Sequence, residues 1–206
     1  MLRINAPRNF TQFVAYPTPR LPAYTRIMRT YPSHPNRGPV YYITTVVQDR
    51  LRLFTRPAYV IPLFDSLIYY RSHYRFGLLG YVVMPDHLHL LIWPQRADEV
   101  DAILRDFKTF TAKRIVRQAQ AEADRALLAR FCAAGAESGR SEHKVWQASF
   151  WEQDVYSDKY LREKLVYLHR NPVRAGLATK PEEYPYSSYR SYLTGEEWFI
   201  KVDRRW

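Results

Sequence analysis

Apolar and polar residues fall into blocks from Val40 onward, and the blocks predict most of the elements. VYYITTVVQ (40–48) is β-branched and aromatic, the composition of a strand. Residues 58–74 carry Leu63, Leu67 and Tyr70–Tyr74 at helical spacing, with Pro62 expected in the first turn and Gly77 as the stop. LLGYVVM (78–84) and HLHLLIW (87–93) read as two strands. Only Pro85 and Asp86 separate them, which predicts a tight hairpin. In 98–117, Val100, Ile103, Leu104, Phe107, Thr111 and Ile115 follow the i, i+3, i+4, i+7 pattern of an amphipathic helix. Residues 118–145 are Ala-rich, then rich in Gly, Ser and charge, which predicts an extension of that helix and then a mobile loop. SFWEQDVY (149–156) predicts a short fourth strand. Ser157 followed by Asp158 predicts a capped helix start, with the helix running to about Arg170.

The order β-α-β-β-α-β-α predicts an α+β domain over 39–206: an antiparallel sheet with helices mainly on one face. Residues 1–38 break the pattern. They hold six Arg, no Lys, Asp or Glu, and six prolines, with Phe10, Phe13, Tyr16, Tyr24 and Tyr31 interleaved. Proline this dense forbids long helices and central strands, so an extended basic arm is expected. Two readings of the arm stand: it lies on nucleic acid, with Arg20, Arg26 and Arg29 among the phosphate contacts, or it wraps its own domain.

Charge narrows the class. The 206 residues carry 31 Lys and Arg against 20 Asp and Glu, a net +11, which points to a polyanionic partner. The helix over 98–117 adds Arg105, Lys108, Lys113, Arg114 and Arg117 on its polar faces as expected DNA contacts. One cysteine, Cys132, excludes a disulfide scaffold, Cys-based zinc fingers and a zinc deaminase. The longest apolar runs are about seven residues, short of the ~20 that span a bilayer. A soluble, cytoplasmic protein is expected, with no membrane partner.

Two groups of residues carry candidate chemistry. His87 and His89 flank Leu88 in an apolar strand, so both project to one side while Leu88, Leu90 and Ile92 project to the other, into the core. Two imidazoles so placed reach one divalent ion, with a third protein ligand still needed. The alternative is a hydrogen-bonded pair on a half-exposed strand. On the helix from Ser157, Tyr160, Lys164, Tyr167 and Asn171 share one stripe, beside an apolar stripe of Leu161, Leu165 and Leu168. A phenol on this stripe is a candidate nucleophile and the Asn171 amide oxygen a candidate ligand. The alternatives are a packed tyrosine and an Asn171 that caps a turn opened by Pro172.

MPDHLHLL (84–91), FW (150–151), YLHRNPVRAGL (167–177) and YPYSSYR (184–190), with QDR (48–50) and FKTFTAKRI (107–115), together resemble the REP-associated tyrosine transposases, a family of HUH-type single-tyrosine DNA nucleases. The resemblance spans roughly residues 38–192. It implies a ferredoxin-like domain with the His-hydrophobe-His motif on a central strand, carried by His87 and His89. It also implies a nucleophile at Tyr167 rather than Tyr160, a third ligand at Asn171, and single-stranded DNA with hairpins as substrate. The arm and the 118–145 segment look enlarged relative to the family.

The implied chemistry is metal-assisted phosphoryl transfer, with Mg²⁺ or Mn²⁺ suiting an open site with an oxygen ligand. Attack by Tyr167 would give a 5′-phosphotyrosine that a 3′-hydroxyl reseals. Two rivals are a non-catalytic nucleic-acid-binding protein on the same fold and an RNA-binding sheet domain; the second lacks its aromatic motif. Whether the protein acts as monomer or homodimer is open at this point.

Overall fold

The computed structural model describes residues 40–74, 76–139 and 141–204. The expected arm over 1–38, and with it Arg20, Arg26 and Arg29, lies outside them. Four strands form one antiparallel sheet: β1 (Val40–Val46), β2 (Gly77–Met84), β3 (His87–Trp93) and β4 (Trp151–Val155), in the order β2-β3-β1-β4. The helices are α1 (Pro57–Tyr74), α2 (Val100–Ala121), α3 (Arg125–Ser138), α4 (Asp158–Arg174) and the short α5 (Tyr189–Thr194). The element order and strand order are those of the expected ferredoxin-like α+β fold.

β3 lies between β2 and β1, and its register sets the site. Thr44 faces His89 and Val46 faces His87 across one ladder, while Val82 and Met84 face the same two histidines across the other. The Pro85-Asp86 turn is pinned from outside: Val47 N donates to Asp86 O at 2.9 Å, and Phe54 N to Pro85 O at 2.9 Å.

Both sheet faces are covered. The Tyr81 ring meets Phe64 of α1 at 5.5 Å between centroids. α2 packs along α1, tied to it by Arg114–Asp65 (3.0 Å) and by the Tyr74 hydroxyl on Asp106. Gly80, next to Tyr81 and therefore on the other face, lies under α4: a Cβ there would come 2.8 Å from Leu165 and 3.8 Å from Leu168. The one-sided helix layer thus holds for α1 and α2, and the leucine stripe of α4 closes the second face.

Three boundaries depart from expectation. α1 opens at Pro57, where the missing N–H has no intrahelical partner to lose, so Pro62 sits inside the helix rather than in its first turn. Residues 118–145 are not mainly a loop. α2 ends at Ala121, and the Asp124 side chain accepts from Leu127 N at 3.1 Å to cap α3, which Gly139 ends in a left-handed conformation (φ 63°). Phe131, fully buried, anchors α3 to the core. α4 runs on to Arg174, through Pro172. Pro172 has no N–H for the Leu168 carbonyl, and the Asn171 side-chain amide compensates, donating to Tyr167 O at 3.0 Å and Leu168 O at 3.5 Å.

The free edge of β2 is closed by the C-terminal segment: Val82 bridges Ser187, and Asp203 N donates to Leu78 O at 2.8 Å.

Gly135 is the tightest point of the α3 addition. A Cβ there would lie 2.4 Å from Glu142 O and 2.5 Å from Ser141 O, both backbone atoms. Gly135→Ala is expected to lower unfolding stability by about 1–3 kcal/mol through overpacking. Urea denaturation checks this; a variant as stable as the native chain would contradict the crossing.

Candidate active site

The β1–β3 register delivers His87 and His89 to the α4 face, their ring centroids 4.7 Å apart and nearly perpendicular. Each Nδ1 is held by a neighbour. Thr44 Oγ1 lies 2.8 Å from His89 Nδ1, and Asp86 Oδ1 lies 2.5 Å from His87 Nδ1. Among the described residues neither Nε2 has a hydrogen-bond partner, and holding Nδ1 in this way is how metal-binding imidazoles are oriented. Burial, reinforced by His87, pushes the His89 pKa down to about 3, so its ring is neutral and its lone pair available.

Asp86 is set by competing effects. Burial raises its pKa, but the hydrogen bond from His87 and the ion pair with Arg50 (3.1 Å) bring it below the ordinary value. Arg50 reaches it from an unusual backbone: Asp49 and Arg50 are consecutive non-glycine residues at φ 54° and 50°, a strain of the kind found at functional sites. Thr44, Arg50 and Asp86 have no assigned role in the sequence reading. The QDR segment is visible there, and the Asp86 position appears only as a turn residue.

α4 brings the second half. Its start is capped as expected, Ser157 Oγ accepting from Tyr160 N at 3.2 Å. Leu161, Leu165 and Leu168 are fully buried against the sheet. Tyr167, 41% exposed, turns its ring edge-on to Tyr42 at 6.1 Å, and Tyr42 in turn packs on His89 at 5.4 Å. Tyr42 is buried, which with the nearby Tyr167 raises its pKa, while the Asn171 side chain acts in the opposite direction. Tyr42 is therefore the ring on which His89 and Tyr167 meet. Tyr160 lies further back and meets Lys164, whose Nζ is 5.1 Å from the Tyr160 ring and 5.9 Å from the Tyr167 ring. Arg174 also lies over the Tyr167 ring, at 5.0 Å.

His169, inside the YLHRNP motif, is a brace. It is fully buried, with Nε2 2.8 Å from Ser188 Oγ, and that hydroxyl also accepts from Tyr81 N at 3.0 Å. The helix, the C-terminal segment and β2 are joined at this point.

Among the described residues no group of three or more His, Cys, Asp and Glu side chains is placed to hold a metal ion. A shell around His87 and His89 therefore needs a neutral oxygen. Asn171 meets that need chemically: its amide nitrogen is engaged with the helix backbone, which turns Oδ1 away from it.

The expected basic contacts divide. Arg114 is paired with Asp65, and Arg105 Nε with Asp106 at 3.0 Å. Lys108 is largely buried, its Nζ 2.5 Å from Gln147 O and 3.1 Å from Ala148 O. Burial, then Lys144, pushes its pKa down to about 8. Lys108 clamps the segment leading into β4, so its charge is turned inward. Lys113 and Arg117, with Arg105 and Lys144, line a groove of about 1090 Å³ between α2 and residues 138–150.

With this geometry in place, comparison with known proteins is direct. The family model of IS200-like transposases matches residues 39–135. A Haemophilus influenzae protein named as a REP-associated tyrosine transposase is 28% identical over 177 residues, covering 82% of this chain and 90% of its own length. The REP-associated tyrosine transposase of Escherichia coli K12 is 23% identical over 165 residues, covering 79% and 83%. A solved REP-associated tyrosine transposase bound to a REP hairpin shares the fold, with a TM-score of 0.53, 21% identity, and 84% of this chain and 92% of that one covered. Over residues 39–135 the chain is thus similar to the IS200-like transposases. The relatives it matches over most of its length carry the name of the REP-associated tyrosine transposases, the family its motifs resemble. Among the described residues no helix is long and apolar enough to cross a membrane.

The two kinds of lysine on α2 separate by experiment. Lys108→Met is expected to cost about 1–3 kcal/mol, because the Gln147 and Ala148 carbonyls lose their donor, and to leave the salt dependence of DNA binding unchanged. Lys113→Gln with Arg117→Gln is expected to leave stability within about 0.5 kcal/mol and to flatten that dependence. Thermal melts and fluorescence anisotropy against salt check both; a reversed pattern would refute the division.

Proposed function

We propose that the chain is a divalent-metal-dependent endonuclease and strand transferase acting on hairpin-bearing single-stranded DNA, with Tyr167 as the nucleophile. The single observation that carries this reading is convergence: His89, with His87 beside it, and Tyr167, with Asn171 one turn on and bonded to its carbonyl, meet at the Tyr42 ring from two different elements. His87 Nε2, His89 Nε2 and Asn171 Oδ1 would hold Mg²⁺ or Mn²⁺. When bound there, the ion supplies charge stabilisation and orientation for the scissile phosphate.

The remaining steps belong to the chain's own groups. The Tyr167 oxygen attacks phosphorus in line. The new O–P bond forms as the bond to the 3′-oxygen breaks; the phenol loses its proton and the departing 3′-oxygen gains one. The products are a 5′-phosphotyrosine and a free 3′-hydroxyl. A second 3′-hydroxyl reverses the sequence and joins strands without ATP. Thr44 and Asp86 hold the Nδ1 atoms of the two imidazoles, and an Nδ1 that donates to them leaves Nε2 free to ligate. The substrate class follows the family's resemblance and the net charge of +11.

Three measurements test the reading. Tyr167→Phe is expected to fold, to bind hairpin-bearing single strands, and to form no covalent adduct, whereas the native chain with Mn²⁺ yields an adduct on the peptide containing Tyr167. An adduct on Tyr160, or cleavage by the Phe variant, would overturn the assignment. His87→Ala and His89→Ala are each expected to abolish cleavage, and full activity in EDTA would sink the metal. Thr44→Val is expected to weaken Mn²⁺ binding about 10- to 100-fold in calorimetry; unchanged affinity would remove Thr44 from the site.

A further inference from the structure

Beside the Tyr42 ring lies an aromatic and cationic feature that the proposed chemistry does not use. Trp151 faces Thr44 across the β1–β4 ladder, so it projects on the same side of the sheet as the two histidines. β4 is the edge strand, and Trp151 is 51% exposed. Its ring meets Tyr42 edge-on at 5.9 Å and 74°, which fixes it against the sheet while half of its surface stays exposed. Lys164 Nζ stands 5.6 Å from the Trp151 ring, 5.0 Å from Tyr42 and 5.1 Å from Tyr160. Among the described residues no carboxylate pairs with this ammonium. A cation surrounded by rings and without a counter-charge is matched by an anion that brings its own π-face.

We infer that Trp151 and Lys164 form a nucleotide-binding ledge, with an unstacked DNA base lying on the Trp151 indole and its phosphate drawn to Lys164. Trp151 and Tyr167 both meet Tyr42, at 5.9 and 6.1 Å, so the ledge holds a nucleotide adjacent to the phosphate presented to Tyr167. A base inside a duplex has both faces covered and cannot use the ledge. Selection for single strands is then a property of one side chain rather than of general charge. The inference rests on the proposed function for its substrate, but it is read by binding, without cleavage.

The test measures anisotropy of labelled dT12 and of a 12-base-pair duplex, with the full chain and no divalent ion. Trp151→Leu keeps apolar bulk against Tyr42 without a π-face, and Trp151→Phe keeps the face. The Leu variant is expected to lose roughly tenfold or more in dT12 affinity and to bind the duplex as the native chain does, whereas the Phe variant stays close to native. Lys164→Gln is expected to flatten the dT12 salt slope by about 0.7. Equal dT12 affinity for the Leu and Phe variants, or equal losses on single strand and duplex, overturns the ledge, as does a native chain without affinity for dT12. Failure to form a Tyr167 adduct with native chain overturns the proposed chemistry alone and leaves the ledge standing if the Leu–Phe contrast holds.

Discussion

The pairing register between β1 and β3 is the constraint on which the site depends. Side chains alternate along a strand, so a slip of one residue would move Thr44 away from His89 and turn Tyr42 to the other face. Two features hold the register. The two-residue turn at Pro85-Asp86 allows no slack and is bonded from outside by Val47 and Phe54. Leu88, Leu90 and Ile92, all buried, commit the other face of β3 to the core shared with α1. The histidine pair is placed by its apolar neighbours more than by its own contacts.

The second half of the site is carried by one helix and so depends on how firmly α4 is seated. Its three leucines meet the sheet where Gly80 leaves room for Leu165. Its far end is braced by His169 through Ser188 to β2. That buried imidazole has no place in the phosphoryl chemistry, yet it stands two residues before Asn171 and two after Tyr167. A motif with several conspicuous side chains thus contains both candidate groups, the phenol and the amide, and the fastener that holds them.

Much of this was legible in the chain. The period-two strands around Pro85-Asp86 and the apolar repeat from Val100 to Ile115 stand in the structure with nearly the expected bounds, because burial of a regular face dictates the pattern. The Ser157 cap was equally readable. α3 was not: its composition is Ala-rich, its apolar face is weak, and its start depends on a single aspartate cap at Asp124. Pro172 concealed the last turn of α4, since proline normally ends a helix and the compensating Asn171 bonds arise only in three dimensions. The support of His89 by Thr44 and of Asp86 by Arg50 was invisible for a similar reason, since these contacts join residues 45 and 36 positions apart respectively, while Asp86, next to His87, read only as part of the turn. The inward turn of Lys108 belongs to the same group, because a lysine on the polar side of a helix reads as solvent-facing until the segment crossing it is known.

One consequence follows from where α4 lies. The helix bearing Tyr167 packs on the same sheet that bears His87 and His89, so every group of the candidate site comes from one polypeptide. Under the proposed chemistry a chain folded in this way needs no exchanged helix to complete the site, and strand scission is expected to be first order in protein. Under the same proposal Tyr167 holds one 5′ end at a time, so two simultaneous breaks call for two copies on the same DNA.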